Sequence, residues 1–598
     1  MESKGSVIRW VFIGLAVFLA MKFVLPKLTG SEGSSERQPL TWESDDYPKS
    51  REPERFCEIF TDRFKAALST RGATLAHFRL TTAKYQQQGT PIDLATTPEP
   101  DWELLRQLRM NLRNQAVLAH DDPNWQIDFD SVDYQIEGSD GKSCTFRYSD
   151  QKVELTKRIR ATSRPYELEA ELTVKNRDSV KRTHALVVDT VARRTQKEVT
   201  GGMFRVSPFL THVECIGTDG KATRLQPTDF EPDDFKKPPF AKGPLNPGDF
   251  YQDRGNVDVA AVSNAYFSHA LVPESAPQGL SPVCQMQIED FWDNKTFTKR
   301  NDDPQLASAY RARLAYPAKD LQPGETASYS VLSYIGPKER KVLSEAGGGH
   351  TRLSELIDLG FFAVIAKVLV GFLLTVHGII PNWGIAIIIL TLTARTLLFP
   401  LAIPSIRSMI KMRELKPELD AITAKFKDDA QARGLAQMEL WRKHKVNPLK
   451  GCLPQLASMP VWFALYTTLQ TAVELYNIPF LWFPDLSMPD RFYVLPFIIG
   501  ATSFVQQRMM PMQGGDPAQQ KMMLYMMPAM FTVFMLFLPS GLGVYMFTNG
   551  VLGIIQQQSV EWHVRRTSQA NTSGSTASSK PDISNKSRAL PSPRKGKV

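Results

Sequence analysis

Cysteine is scarce in this chain of 598 residues, which contains only five. No two of them form a CxxC pair, which argues against a zinc site or thioredoxin-like redox chemistry. The sequence also has no HExxH motif, no phosphate-binding loop and no paired or repeated carboxylates within its apolar segments. These absences argue against a metalloprotease, an intramembrane aspartyl protease, a nucleotide-driven machine and an ion-coupled transporter. We therefore expect no enzyme activity, no cofactor, no metal and no nucleotide site.

Apolar residues are unevenly distributed along the chain. Residues 31–350 have the composition of an ordinary soluble domain, whereas residues 351–560 carry repeated long apolar runs. A chain of this length is also too long for a single core, so at least two domains are expected. The formal net charge of +9 is modest and is concentrated in a few segments.

The N-terminal segment predicts a membrane anchor. The apolar stretch 7–25 lies beside Lys4 and Arg9, and no small-x-small cleavage site follows it. This pattern favours an uncleaved span with a cytoplasmic N-terminus, while a cleaved signal peptide is the alternative.

Residues 26–350 are predicted to form a β-sandwich outside the cytoplasm. Period-two alternation of apolar and polar residues recurs in 134–137, 144–148, 153–156 and 166–174, with turn signals between them. Residues 224–250 are rich in proline, glycine and charge and indicate a long loop. An accessory or docking role is favoured, and binding of sugars or peptides is the alternative. Four cysteines lie in this domain, either as disulfides or as free thiols: Cys57, Cys144, Cys215 and Cys284.

Six apolar runs follow the outer domain. They are 359–380, 384–403, 452–472, 492–505, 522–538 and 542–555. A spanning helix needs about 20 apolar residues. The run 492–505 would be only about 21 Å long as a helix, which requires polar flanks or a locally thinner bilayer.

Charge decides which runs cross the membrane. The segment 404–450 has eleven basic and six acidic residues, and the tail 561–598 has eight basic and two acidic ones. Both should be cytoplasmic, and the loop 476–491 should be outside. If 359–380 and 384–403 both crossed, the basic segment would lie outside. We therefore expect 359–380 to lie along the outer membrane surface, with a re-entrant hairpin as the alternative.

The predicted fold is a polytopic α-helical membrane protein with six transmembrane helices and both termini in the cytoplasm. The predicted order is a cytoplasmic N-terminus 1–6, an anchor helix 7–25, an outer domain 26–350, an interfacial amphipathic helix 351–382, a second span 383–403, a basic cytoplasmic helical hairpin 404–450, a third span 451–474, an outer loop 475–491, a fourth span 492–508, a cytoplasmic loop 509–521, a fifth span 522–539, a sixth span 541–560 and a basic disordered cytoplasmic tail 561–598.

Arg395 is the candidate centre of function, because an arginine in the middle of a spanning helix costs roughly 2.5–3.5 kcal/mol on insertion scales. Thr391 lies one turn earlier on the same face, and Gln455 and Ser458 share a face of the following span. We interpret these groups as the lining of a hydrophilic cavity that attracts acidic or polar parts of another chain. Snorkelling of Arg395 to the cytoplasmic edge is the alternative.

Two further segments are candidate contact surfaces. Residues 509–546 hold ten methionines, whose flexible thioethers suit varied apolar partners or fill a loose core. The candidate slide for apolar helices consists of Met527, Met530, Phe534 and Met546.

Residues 404–447 predict two helices with a break at Lys416-Pro417 and a turn through Asp428 to Gly434. This hairpin could contact a ribosome, anionic lipid or a targeting receptor. Its candidate contact residues are Arg407, Lys411, Arg413, Arg442 and Lys443. The alternative is a basic hairpin that is only solvated.

The stretches 390–401, 446–454, 459–466, 516–521, 537–542 and 554–558 resemble the YidC/Oxa/Alb family of membrane protein insertases in its Gram-negative form. The resemblance implies five core helices around a hydrophilic groove, a periplasmic β-supersandwich and a place in the inner membrane. It also implies groove roles for Arg395, Thr391 and Tyr545. Met546 stands where relatives commonly have an aromatic residue, and Gln455 and Ser458 also depart from the usual pattern.

The resemblance implies an insertase and chaperone that inserts and folds integral membrane proteins, alone or with the Sec translocon. Its implied partners are nascent membrane proteins and the phospholipid bilayer, and the ribosome and the signal-recognition-particle receptor are candidates. The alternative is a polytopic solute transporter or channel with an accessory periplasmic domain.

Overall fold

The computed structural model describes residues 52–98, 103–113, 132–195, 210–226, 250–291, 307–426, 429–444, 460–509 and 522–576, without 88, 104, 254, 255 and 462 but with 198 and 229. The chain divides into two compact units. The first consists of residues 1–390, 460–498 and 530–545, and the second of residues 391–459, 499–529 and 546–598. The predicted anchor 7–25 lies outside the described residues, as do most of the predicted loop 224–250 and the tail beyond 576.

The described part of the outer domain is built of strands. They are β1 Phe56–Phe60, β2 Phe64–Ser69, β3 Thr74–Leu80, β4 Gln86–Gln87, β5 Thr90–Pro91, β6 Arg109–Arg113, β7 Gln135–Ser139, β8 Ser143–Ser149, β9 Val153–Ala161, β10 Glu167–Asn176, β11 Arg182–Thr195, β12 His212–Gly217, β13 Ala222–Leu225, β14 Tyr251–Gln252, β15 Val257–Ser263, β16 Phe267–Ser275, β17 Val283–Phe291, β18 Ala307–Ala315, β19 Lys319–Leu321 and β20 Thr326–Pro337. The four stretches with period-two alternation correspond to β7, β8, β9 and β10.

Two large antiparallel sheets face each other. The nine-stranded sheet has the order β13-β12-β15-β16-β20-β10-β9-β8-β7. The six-stranded sheet has the order β14-β17-β18-β11-β19, with β6 also pairing with β11. Strands β12 and β15 of the first sheet pack on β17 and β18 of the second. The β-rich domain is therefore a sandwich, with a smaller sheet of β1, β2 and β3 beside it.

Both pairs of outer cysteines are disulfide-bonded, which decides between the two alternatives left open by the sequence. Cys215 of β12 is bonded to Cys284 of β17 and so connects the two large sheets. Cys57 of β1 is bonded to Cys144 of β8 and connects the small sheet to the nine-stranded one. Each bond therefore joins layers that the backbone hydrogen bonds leave separate.

Alternating burial places one face of each strand in the core. In β9, Val153, Leu155 and Ile159 are buried, and the residues between them are more exposed. Lys157 occupies the same inner face, and its Nζ donates to the Gly72 carbonyl oxygen at 2.6 Å. A buried ammonium group is tolerated here because it has hydrogen-bond and aromatic partners; it also lies 5.0 Å from the ring centre of Tyr134.

Charged groups in the six-stranded sheet are also paired. Arg313 donates to both carboxylate oxygens of Asp189 at 2.7 and 2.9 Å, and both side chains are buried. Burial alone would raise the pKa of Asp189, but Arg313 and Arg311 together hold that pKa well below its usual range. The pair thus keeps a charge inside the sandwich without leaving it uncompensated.

The helices follow the β-rich domain. They are α1 Arg340–Glu345, α2 Ala363–Ile379, α3 Trp383–Glu414, α4 Lys416–Lys425, α5 Ala430–Lys443, α6 Val494–Met509, α7 Met527–Met535 and α8 Ser540–Thr576. Residues 463–471 are also helical, and a π-helical turn, Met522–Met526, precedes α7.

Helix α3 does not end where its apolar run ends. It continues through Pro400 and Pro404 to Glu414, so that an apolar half and a basic half form one helix of 32 residues, about 48 Å long. The next helix begins at Lys416, at the predicted break. The predicted turn at Gly434 is absent because α5 begins at Ala430, where the Asp429 side chain accepts hydrogen bonds from two backbone N–H groups.

The predicted count of six spanning helices is not established. Within the described residues one helical segment, Trp383–Pro400, has the length and hydropathy of a membrane span. Ala363–Ile379 and Met522–Met535 are shorter apolar helices. Helix α2 carries exposed apolar side chains such as Val364 and Val368, 80% and 69% exposed. Such a surface suits the lipid contact that was predicted for the interfacial helix.

In the first unit, the segment after residue 472, for which the sequence predicts an outer loop, packs on the β-rich domain. Glu474 accepts from the Arg340 guanidinium at 2.7 Å and from the Arg340 backbone N–H at 3.1 Å. The Tyr476 ring lies against Tyr85, Tyr266 and Phe267, with ring centres 6.2, 5.3 and 5.9 Å apart. A salt bridge and an aromatic cluster therefore hold this loop to the sandwich.

Candidate functional site

The candidate site in the second unit is centred on Arg395. This residue is the thirteenth of α3 and lies within the apolar window 383–400. The helix satisfies its own backbone, so the costly group is the guanidinium alone. Its side chain is partly buried rather than extended into open solvent.

Three described hydrogen bonds connect this guanidinium to helix α8. Nε donates to Asn549 Oδ1 at 2.7 Å, and Nη2 donates to the Asn549 carbonyl oxygen at 3.0 Å. Nη1 donates to Gln556 Oε1 at 3.3 Å, and Gln556 Nε2 donates in return to the Arg395 carbonyl oxygen at 3.2 Å. The guanidinium is therefore held by uncharged oxygens of a neighbouring helix rather than snorkelling freely.

Helix geometry explains why α8 can supply these partners. Asn549 and Gln556 are seven residues apart, or about two turns, and so lie on one face. Gly553 lies between them. A Cβ atom there would be 3.2 Å from Arg395 Nη2 and 2.8 Å from Nε2 of Gln506 in α6. The missing side chain lets polar groups from three helices meet at one place.

Only some of the predicted groove residues lie in the part of the chain that the structure describes. Thr391 is fully buried. Gln455 and Ser458 lie outside the described residues. Tyr545 belongs to the first unit, where it is buried, with 6% of its surface exposed. Sequence reasoning did not single out Asn549, Gln556 or Gln506, although the first two are amides two turns apart in an otherwise apolar run.

The predicted slide residues differ in their exposure. Met527 and Met530 are 51% and 63% exposed, whereas Phe534 and Met546 are partly buried. The exposed methionines present thioethers on the surface of a short apolar helix, Met522–Met535. This surface can adapt to apolar side chains of different shapes.

Four of the five predicted hairpin contacts are exposed: Arg407, Lys411, Arg442 and Lys443. Arg413 differs, because it is engaged inside the second unit. It donates to Glu561 Oε1 at 2.8 Å and also to the Met509 carbonyl oxygen. Gln557 donates to that same carbonyl at 3.1 Å. Arg413 therefore connects the basic end of α3 with the end of α6 and with the middle of α8, so part of its charge is used within the chain.

Among the residues that the structure describes, no group of three or more histidine, cysteine, aspartate or glutamate side chains could hold a metal ion. What the Arg395 cluster can do chemically is to offer hydrogen-bond donors and a positive charge to acidic or polar groups.

Comparison with known families accounts for both parts of the chain. Residues 57–372 match the family described as the YidC periplasmic domain, and residues 375–567 match the 60Kd inner membrane protein family. The two family matches together indicate an inner-membrane protein with a periplasmic β-rich domain. The chain belongs to the YidC family of membrane protein insertases.

The curated relatives include one that matches most of the chain and others that match a shorter part. The membrane protein insertase YidC of Anaeromyxobacter sp. (strain K) is 35% identical over 520 residues, which is 86% of each chain. That of Shewanella sp. (strain ANA-3) is 45% identical over 241 residues, 40% of this chain and 44% of the relative. A solved structure described as an active YidC insertase with its first transmembrane domain resolved is 15% identical, covers 92% of this chain and 98% of its own, and has a TM-score of 0.34.

Proposed function

We propose that this chain inserts and folds integral membrane proteins in the bacterial inner membrane, and that Arg395 receives the polar segment that each client must carry across. Family membership supports the activity, and one observation supports the site. Arg395 lies in an apolar helix, and three hydrogen bonds hold its guanidinium to neighbouring amide and carbonyl oxygens. A positive charge at this place would lower the desolvation cost of a polar client segment.

Short apolar helices would lower the remaining barrier. Helix α6 has 16 residues and Met522–Met535 has 14, corresponding to about 24 and 21 Å. Both are shorter than the ~30 Å hydrocarbon core, so the bilayer must thin locally or polar flanks must enter it. The exposed Met527 and Met530 would then contact the apolar helix of the client as it moves into lipid. Apolar partitioning and the membrane potential supply the driving force.

The proposed topology follows from charge. The basic residues of 404–450 and of the tail would keep both regions in the cytoplasm, together with the N-terminus. The exposed Arg407, Lys411, Arg442 and Lys443 would meet a ribosome, a targeting receptor or anionic headgroups. The Sec translocon would act beside the chain for clients with larger outer domains. Accessibility of single introduced cysteines to an impermeant thiol reagent tests this orientation.

Reconstitution tests the activity itself. Purified protein in liposomes should insert a small single-span client, measured as protease protection of the client's translocated segment. R395A should reduce insertion by about tenfold or more, because losing the charge removes ~1.4 kcal/mol or more of stabilisation. K367A removes an exposed basic residue of α2 and is the matched control, with insertion unchanged. Solute flux without insertion would favour the transporter alternative instead.

Crosslinking tests the path of the client. A photo-crosslinker at the exposed Met530 should capture nascent membrane proteins, and one at the buried Thr391 should capture them only when the site opens. A crosslinker at Val364, which is 80% exposed on α2, is the control and should capture mainly lipid. Capture of soluble secretory chains alone at Met530 and Thr391 would contradict the proposal.

A further inference from the structure

We propose that a pocket between α2, the start of α3 and the helix 463–471 binds one phospholipid from the leaflet on the side of the β-rich domain. Its apolar floor holds an acyl chain, and Arg340 and Thr468 bind oxygens of the headgroup region. The inference uses the proposed membrane location and topology but not the Arg395 site. Its failure would therefore leave the proposed insertion activity standing.

The pocket lies within the first unit and has a volume of about 290 Å³, including its open mouth. Its floor is apolar and buried, since Leu373, Ile387 and Leu469 are 4%, 0% and 1% exposed. Leu374 and Trp383 also line the pocket but are partly exposed, which places the mouth beside them. A space of this size is close to the lower end of the range for small-ligand sites.

The mouth lies at a surface that suits lipid. Helix α2 forms one wall of the pocket, and its exposed side chains include the apolar Val364 and Val368. The Trp383 ring stacks on His377, with ring centres 4.1 Å apart. Tryptophan is enriched at the boundary between membrane and water, where it anchors helix ends. An acyl chain can therefore enter the pocket from the bilayer.

Two polar atoms at the pocket indicate that its occupant also carries oxygens. Thr468 Oγ1 and Arg340 Nη2 are buried, and neither has a hydrogen-bond partner in the part of the chain that the structure describes. Both residues line the pocket. The other terminal nitrogen of Arg340 donates to Glu474 at 2.7 Å. Buried polar atoms normally have a partner, so these two donors point to a bound group that accepts hydrogen bonds.

The polar and apolar groups follow the order found along a phospholipid. Arg340 and Glu474 meet beyond the end of the helix 463–471, whereas Thr468 lies about one turn inside it. In a phospholipid the phosphate comes first, then the ester carbonyls and then the acyl chains. A phosphate oxygen thus fits Arg340, and an ester carbonyl oxygen fits Thr468. Because Glu474 balances the charge of Arg340, a zwitterionic headgroup is sufficient.

Other apolar occupants fit less well. An apolar side chain of another protein would fill the floor but would leave the two buried donors without acceptors. A fatty acid would bring its carboxylate close to the carboxylate of Glu474, which is unfavourable for two like charges. A diacyl phospholipid supplies both kinds of oxygen as well as the apolar chain.

Photo-crosslinking tests the site in vesicles of phosphatidylethanolamine and phosphatidylglycerol that contain the full chain. The probe is a phosphatidylethanolamine with a diazirine in one acyl chain, and mass spectrometry of the digested protein locates the label. Bulk lipid should label exposed residues such as Val368. A lipid in the pocket should also label the buried Leu373 and Leu469. Label confined to exposed residues would overturn the inference.

A matched pair of variants tests the hydroxyl. T468V keeps the side-chain size but removes the donor, and should lower the label at Leu373 relative to that at Val368 about threefold to tenfold. T471V makes the same change in the same helix, where the Thr471 hydroxyl donates to the Thr467 carbonyl oxygen at 2.9 Å. T471V should leave the ratio unchanged. An unaltered ratio in T468V, or an equal loss in both variants, would contradict the assignment.

Probes with altered headgroup regions test which oxygens are bound. A dialkyl ether analogue lacks the ester carbonyls, so it should label Leu373 of the unmodified chain less, by the same factor as T468V. It should cause no further loss in T468V, because the bond is already absent. A diacylglycerol probe lacks the phosphate and should label about tenfold less. Additive losses, or equal labelling by diacylglycerol, would refute the assigned contacts.

A second variant makes the result independent of the hydroxyl. Ala472 lines the pocket, and A472F should fill it and abolish the label at Leu373 while the label at Val368 remains. Thermal unfolding identifies the variants that fold, and the label ratio is read from those. Persistent label at Leu373 in folded A472F would exclude this pocket. Displacement of the probe by oleic acid but not by unlabelled phosphatidylethanolamine would assign the pocket to fatty acids and overturn the proposal.

Discussion

The Glu474 carboxylate should determine how tightly the outer loop is held to the β-rich domain. Its two oxygens accept from the side chain and the backbone of Arg340, and its own carbonyl oxygen accepts from Lys84 Nζ at 3.3 Å. Tyr476, two residues further on, packs among aromatic rings of the sandwich. Glu474→Gln keeps the size and one acceptor oxygen but removes the charge. The loop should then open more often.

The expected magnitude follows from burial. Removing one partner of a fully buried ion pair costs about 3–5 kcal/mol. The Arg340 and Glu474 side chains are 14% and 11% exposed, so some screening by solvent applies. Since glutamine also retains a hydrogen bond, we expect a loss of about 2–3 kcal/mol in the free energy of opening. That corresponds to roughly a 30- to 150-fold rise in the open population.

Hydrogen exchange measures this population directly. The backbone N–H groups of Leu475 and Tyr476 bond to the carbonyl oxygens of Ala472 and Val473, so their exchange requires the loop to open. In E474Q both amides should exchange faster by the factor above, while amides in the central strands should not change. Unaltered exchange at these two amides would refute the reasoning, because it would mean that the ion pair contributes nothing to docking.

A matched control separates the buried pair from ion pairs in general. Arg147 and Glu137 form a 2.9 Å salt bridge in the same domain, but their side chains are 44% and 43% exposed. E137Q should leave exchange of the outer loop and the unfolding of the domain unchanged, since exposed pairs contribute little. If E137Q sped up loop exchange as much as E474Q does, the effect would come from net charge rather than from burial.

Further predictions concern the sandwich and the hairpin. Replacing Cys215 and Cys284 by serine removes the bond that closes a loop of 69 residues between the two sheets. In the chain-entropy description this should lower the free energy of unfolding by about 4 kcal/mol, measured by denaturant titration. A loss below about 1 kcal/mol would contradict the prediction. Burial lowers the pKa of His184 from 6.5 to about 4. Neutral His184 bonds to Tyr329, and the stability that it contributes should be complete above pH 6.5 and decline as the pH falls towards 4. The free energy of unfolding measured against pH should not show this decline in H184Q. A pH profile of H184Q identical to that of the unmodified chain would contradict the prediction. D429A removes the N-cap of α5 and should destabilise that helix by about 1 kcal/mol, seen as faster amide exchange in its first turn but not in α4.

Local patterns in the sequence were sufficient for much of the fold. Alternation over 153–156 and 166–174 predicted β9 and β10, because one face of each strand is buried in the sandwich. The break before Pro417 was also predictable, since proline is favoured in the first turn of a new helix and Pro417 is the second residue of α4. The end of α3 was not predictable in this way. Pro400 and Pro404 lie inside the helix, although a proline there removes a backbone hydrogen bond.

Long-range partners depended on the tertiary structure. Four outer cysteines allow three pairings, and only the placement of β12 beside β17 and β1 beside β8 brings the bonded sulfurs together. The docking of the loop at Tyr476 likewise joins residues hundreds of positions apart, between which no periodic pattern exists.

The candidate site also combines features that local sequence predicts with features that only long-range contacts decide. By itself the sequence determined that Arg395 is a charge in an apolar helix, because insertion cost depends on local composition. It also determined the family, through motifs carried in order along the chain. The tertiary structure alone decided what holds the guanidinium, since Asn549 and Gln556 lie more than 150 residues away on another helix. Hydrogen bonds require atoms within about 3 Å, and only the folding of α3 against α8 brings these groups to that distance.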